Sequence, residues 1–254
     1  MQRLSKPEII LALDVDTLEK AKYFVDLLYP KIKLFKIGIQ LFTTCGPAVV
    51  KMVGDKGGKV FLDLKFHDIP NTVSNAVSSG TLSCYSAHLA DMDEDKEKNV
   101  IVLPVFMMTV HIKGGLAMLK AAAEGAAAKA KEMGIKKPLI VGVTRLTSDE
   151  DSVDTLKEVI QAAQLAKDSG LDGVVCSALE AQEIRKVHGE HFIIVTPGIR
   201  PDKTVTDDQK RTATVKEAVD AGSDFLVIGR PILKAADPLL QTEELLGDLY
   251  GAGN

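Results

Sequence analysis

The ten residues DLKFHDIPNT (63–72) place Asp63, Lys65 and Asp68 at the end of an apolar run that begins at Val60. Charged groups there cost free energy unless something repays them. Residues 63 and 65 have the same parity, so on a strand they share a face. Lys36, in LFKIGI (34–39), brings a second ammonium on the preceding apolar run. One Asp–Lys pair reads as a salt bridge at a loop. Two lysines and two carboxylates in one small volume exceed that need and suit electrostatic work on a developing charge. A second cluster lies near the C-terminus. TPGIRP (196–201) pairs Gly198 with Arg200, and VIGRPI (227–232) pairs Gly229 with Arg230. Glycine lets the backbone approach a ligand closely, and arginine binds phosphate oxygens through several donors. One such loop is equally a Gly-Pro turn with a surface arginine; two on adjacent strands point to a phosphate.

The elements that must carry these groups alternate along the chain. Short Val/Ile-rich runs at 9–15, 34–39, 59–66, 105–112, 138–144, 172–177, 192–199 and 225–232 read as strands buried on both faces. Helical patterns lie between them, as at 17–28, 116–133 and 152–170, the last closed by Gly170. Eight strand–helix units predict an α/β fold, a single (β/α)8 TIM barrel over residues 1–254. A doubly wound open sheet is the alternative, but no Gly-rich dinucleotide fingerprint follows the first strand. In a barrel the active site sits at the C-terminal strand ends. There the sequence puts Asp14, Lys36, Asp63, Lys65, His111, Thr144, Thr147, Arg200, Gly229 and Arg230. Asp68 lies beyond its strand end, and Pro70 turns the chain at Ile69, with Asn71 as the expected cap of the next helix. The stretch DMDEDKEKN (91–99) marks an acidic insertion at about 85–99, read as a solvated loop or exposed turn.

Composition narrows the classes. The 254 residues are 46% hydrophobic with a formal net charge of −4, enough for a large core. No Lys/Arg-rich run suggests a nucleic-acid partner, and no apolar run reaches the ~18 residues of a membrane span. The start, MQRLSKPEII, lacks a signal-peptide pattern. Three distant cysteines, Cys45, Cys84 and Cys176, with no CxxC or HExxH, indicate neither a disulfide framework nor a structural zinc site. Cys45 and Cys176 read as packing thiols, and a cytoplasmic location fits.

Together, DLKFHDIPNT, Lys36, TPGIRP and VIGRPI resemble orotidine 5′-phosphate decarboxylases of the bacterial type. ALDVDT (12–17), FKIGIQLF (35–42), VTRLTS (143–148) and GLDGVVCSALEA (170–181) extend the likeness over nearly the whole chain. Related sugar-phosphate decarboxylases and epimerases share the DxKxxD core alone. The chain departs from the family pattern in its longer, acidic connection at about 81–104 and in Ile112 and Lys113. The resemblance implies conversion of orotidine 5′-monophosphate to UMP and CO2, the last step of de novo UMP synthesis, with no metal and no cofactor. It implies that Lys65 is the proton donor, with Lys36, Asp63 and Asp68 completing the charged array. Asp68 would come from the partner subunit of a homodimer, and Thr72 would also reach across. Asp14 would hold the ribose with help from Lys36. Thr147 would lie near the pyrimidine, and Arg200, Gln209, Gly229 and Arg230 would bind the phosphate.

The implied reaction suits these residues. Losing CO2 from C6 leaves an electron pair in the ring plane, where the ring π system cannot delocalise it. With no cofactor motif in view as an electron sink, a preorganised ammonium must stabilise the carbanion. The polar stretch 197–214 suits a loop that closes over the phosphate. Two rivals remain at this stage. A metal-dependent relative acting on a sugar phosphate would want hard oxygen ligands, which Lys36 disfavours. A silent phosphate-binding module would leave the Lys-Asp-Lys-Asp array unexplained.

Overall fold

The computed structural model describes residues 6–89, 105–146, 153–201 and 211–251. All eight predicted strands form: β1 (Glu8–Ala12), β2 (Leu34–Gly38), β3 (Lys59–Phe66), β4 (Met107–His111), β5 (Leu139–Val143), β6 (Gly173–Val175), β7 (Ile193–Thr196) and β8 (Phe225–Ile228). They pair in order and in parallel. Pairing of β1 with β8, Ile10 opposite Val227, closes the barrel and removes the open-sheet alternative.

Strand alternation divides the core in two. Ile10, Ala12, Leu34, Phe61, Met107, Val141, Val195 and Val227 fill the barrel. Their neighbours of opposite parity, such as Leu11, Phe35, Leu62, Met108, Ile140 and Ile228, pack under the helices. Burying each large apolar side chain stabilises by about 1.5–3 kcal/mol, which fixes the parity firmly. Continued towards the C-terminal rim, the inward parity passes from hydrocarbon to Asp14, Lys36, Asp63 and Thr109.

The helices are α1 (Leu18–Leu28), α2 (Ile39–Cys45), α3 (Pro47–Asp55), α4 (Pro70–Leu89), α5 (Gly115–Met133), α6 (Thr155–Asp168), α7 (Ala178–His188), α8 (Val215–Asp220), α9 (Arg230–Leu233) and α10 (Pro238–Tyr250). Thr17 caps α1 by accepting from the Lys20 amide, and Gly170, at φ 77°, follows α6. None of the described helices is long and apolar enough to cross a membrane.

Three local expectations change. Asn71 does not cap α4, because the helix already begins at Pro70; proline suits the first helical position, where no amide donor is needed. The run 225–232 is strand only to Ile228, and Arg230 opens α9 instead. Simple alternation does not carry β3 through Lys65. The β3–β4 register shifts between Leu62 and Phe66, and Lys65 has φ 51°, the left-handed region that side chains other than glycine adopt at a cost. Residues 90–104, most of the acidic segment, lie outside the described residues.

Candidate active site

The rim residues surround a cavity of about 220 Å3. Its floor is apolar, with Ala12, Phe61, Val143, Val175 and Val227 from five strands. Above it stand four charges of alternating sign. Asp14, just past β1, accepts from Lys36 Nζ at 3.0 Å. Lys36 Nζ lies 3.6 Å from Asp63 Oδ2, and Lys65 Nζ lies 2.9 Å from the same oxygen.

Burial and pairing oppose each other here. Burial works against the charged form of Lys36, but Asp63 and Asp14 outweigh it and hold its pKa above the ordinary lysine value. Burial likewise pushes the Asp63 carboxyl up, and the two lysines and the Thr109 hydroxyl pull it below the usual carboxylate range. Both groups are thus held in their charged forms.

Thr109, fully buried on β4, ties the array to the barrel. Its hydroxyl donates to Asp63 Oδ1 at 3.0 Å and accepts from the Lys65 backbone amide at 2.8 Å. That second bond holds Lys65 in its left-handed conformation. Sequence reading passed over Thr109, although its parity with Met107 marks it as a polar side chain inside the barrel. Arg145 and Leu146 also line the cavity, and Arg145 pairs with Glu158 of α6.

The opposite wall is the glycine–arginine pair of loops. Gly198, Arg200, Gly229 and Arg230 all line the cavity. Gly198 has φ 79°. A side chain on Gly229 would sit 3.3 Å from Ala12 Cβ and 3.4 Å from Asp14 Oδ2, so glycine keeps this corner open. Arg200 is buried, and its Nη1 donates to the Ile199 carbonyl at 2.8 Å.

Other expected residues are placed apart. Asp68 is exposed, does not line its own chain's cavity, and accepts from the Ile69 amide at 2.7 Å. Thr72 is exposed in the first turn of α4. Thr144 is buried and donates to the Val175 carbonyl, a structural role. His111 stacks on His67 with ring centroids 5.4 Å apart. Thr147 and Gln209 lie outside the described residues. The Cys176 thiol, pushed up to about 12 by burial, is inert at neutral pH.

The arrangement sets an ammonium beside a carboxylate at one end of an apolar floor and two arginines at the other. Among the described residues, no group of three or more His, Cys, Asp or Glu side chains could hold a metal ion. The carboxylates of Asp14 and Asp63 flank the Lys36 ammonium instead.

Comparison with known proteins agrees with this geometry. A family model described as "Orotidine 5'-phosphate decarboxylase / HUMPS family" matches residues 7–245. The chain is 43% identical to the orotidine 5′-phosphate decarboxylase of Saccharophagus degradans, over 97% of this chain and 96% of that protein. It is 45% identical to that of Legionella pneumophila, over 96% and 99%. The crystal structure of orotidine 5′-phosphate decarboxylase from Lactobacillus acidophilus matches with a TM-score of 0.77 at 34% identity, covering 96% of this chain and 99% of that one. With matching fold, rim chemistry and near-complete coverage, the chain belongs to the orotidine 5′-phosphate decarboxylase / HUMPS family.

Proposed function

We propose that this protein decarboxylates orotidine 5′-monophosphate to UMP and CO2 without a metal or organic cofactor, the last step of de novo UMP synthesis. The carrying observation is the Asp14–Lys36–Asp63–Lys65 chain of ion pairs facing the Gly198/Arg200 and Gly229/Arg230 wall across one cavity. The C6–carboxylate bond breaks, CO2 leaves, and the electron pair stays on C6. Lys65 Nζ stabilises that pair and then gives it a proton; water returns a proton to the amine. Asp63 lies beside Lys65 and keeps the ammonium in place. Asp14 and Lys36 hold the ribose. Arg200, Gln209, Gly229 and Arg230 grip the phosphate, whose binding energy orients the ring. Thr147 lies near the pyrimidine.

The working unit in this proposal is a homodimer in the cytoplasm, each chain one barrel domain with the acidic stretch 85–99 as an insertion. Asp68 and Thr72 serve the partner's site. Their exposure outside their own cavity supports this reading.

The metal-dependent sugar-phosphate reading is disfavoured by the Lys36 ammonium, which occupies the carboxylate oxygens a hard cation would use. A spectrophotometric assay of orotidine 5′-monophosphate, with and without EDTA, tests the proposal. We expect equal rates in both. Activity abolished by EDTA and restored by Mg²⁺ would support the rival.

A further inference from the structure

The phosphate wall depends on a piece of chain that returns to it. After β7 the backbone turns at Pro197–Gly198. The Ala213 amide donates to the Gly198 carbonyl at 3.2 Å, and the Arg200 amide donates to the Ala213 carbonyl at 2.9 Å. Ile199 and Ala213 form an isolated bridge, and both are buried. The returning residues are anchored on each side of that bridge. Thr214 caps α8 in a reciprocal pair with Glu217. Arg211 pairs with Glu180 of α7.

Glu180 has two tasks. Its Oε2 accepts from the Ser177 amide at 3.1 Å and completes the α7 capping box, which anchors it just past β6. Its Oε1 takes Arg211. Capping boxes usually sit at a solvated helix end, yet Glu180 is 3% exposed and Arg211 8%. Enclosing an ion pair is weak stabilisation, since desolvation offsets attraction, and such pairs are best understood where they fix a register. The helix cap needs only one carboxylate oxygen, so the cap does not account for Arg211.

We infer that Glu180 is a positioning residue for the phosphate subsite. Through Arg211 and the bridge at Ala213 it fixes the backbone of Gly198–Arg200, and so the placement of the Arg200 guanidinium. It touches no substrate. This inference rests on the decarboxylase reading.

The test compares kcat/KM for orotidine 5′-monophosphate with that for orotidine, which lacks the phosphate, in the wild-type protein and in Glu180→Gln. Glutamine keeps the helix cap but not the charge. The nucleotide should lose about tenfold or more, ~1.4 kcal/mol of transition-state binding, while orotidine stays within about twofold of wild type. Equal losses on both substrates, or none on either, would overturn the inference alone. A wild-type protein inactive on the nucleotide would overturn the reading beneath it too. Should Glu180→Gln not fold, the double variant Glu180→Met/Arg211→Met removes both enclosed charges, a replacement that is often neutral for stability. The same selective loss is expected there. If that variant is folded and fully active on the nucleotide, or fails to fold as well, the pair serves only stability and the inference is wrong.

Discussion

Thr109→Val separates the hydroxyl's work from its volume. Valine nearly matches threonine in shape, so no large cavity forms at this buried site. Two hydrogen bonds go. The bond to Asp63 Oδ1 involves a charged acceptor, a class worth about 1.5–3 kcal/mol, and the Lys65 amide is left without its acceptor at about 1–3 kcal/mol. Local relaxation recovers part of this, so we expect about 2–4 kcal/mol of lost stability. For a protein of this size that lowers Tm by roughly 4–16 °C. The same change frees Lys65 to leave φ 51°, which swings Nζ from its place beside Asp63. We therefore expect kcat to fall by about tenfold or more, ~1.4 kcal/mol. Thr109→Ser is the control. It keeps the hydroxyl and loses one methyl group, about 0.8 kcal/mol, with kcat near wild type. Urea denaturation gives the stability and steady-state assays give the rate. A valine variant within about 0.5 kcal/mol of wild type, with unchanged kcat, would refute the tether.

Other outcomes follow from the same geometry. Lys65→Ala and Lys65→Gly should both lose nearly all turnover, but the glycine variant should be more stable by about 0.5–1 kcal/mol, because the left-handed backbone suits it; an alanine variant of equal or greater stability would mean that position 65 carries no strain. Lys65→Ala and Asp68→Ala proteins, each nearly inactive, should regain about one quarter of all sites when mixed and allowed to exchange, since about half of the dimers are then mixed and one site in two works in those. Verified exchange without recovery would assign Asp68 to its own chain's site. His188 is buried, and neither ring nitrogen has a hydrogen-bond partner among the described residues. Burial, aided by Lys167, lowers its pKa. The unfolded chain therefore binds this proton more readily, and stability falls as pH drops below about 6.5. Denaturation at pH 7 and pH 5 should show a smaller acid loss in His188→Leu than in wild type; an equal loss would clear His188.

Much of this architecture was legible in the residues. Eight Val/Ile runs sealed on both faces gave the barrel, and closure placed their C-terminal ends at one rim. Lys36 and Asp63 meet there because inward parity is set by the hydrophobic core far below them, and the two Gly–Arg pairs arrive on the turns that follow β7 and β8. Lys65 is the instructive exception. Alternation put it beside Asp63 for a reason that fails in detail, since the β3 register shifts just before it. It still reaches Asp63, and Thr109, 44 residues away in sequence, bonds both the Lys65 amide and the Asp63 carboxylate. No local pattern carries that contact. Asn71 does not cap α4 because Pro70 and Asn71 compete for the same helix start, and proline's fixed φ decides it.

The alternating charges of the cavity have a consequence for how a ligand arrives. The whole chain carries −4, so at long range it repels an anion. At the mouth the balance reverses. Among the described residues, five cationic side chains, Lys36, Lys65, Arg145, Arg200 and Arg230, line the cavity beside Asp14 and Asp63, and Arg145 is paired with Glu158. The lysines are interleaved with those carboxylates, so the positive potential is concentrated on the arginine side. Within about a Debye length, ~8 Å at physiological salt, this gradient would turn the nucleotide of the proposed reaction so that its dianionic tail enters towards Arg200 and Arg230. Added salt flattens the gradient and slows capture without altering the reacting end. Under the proposed function, the barrel would thus select the orientation of its guest before any hydrogen bond has formed.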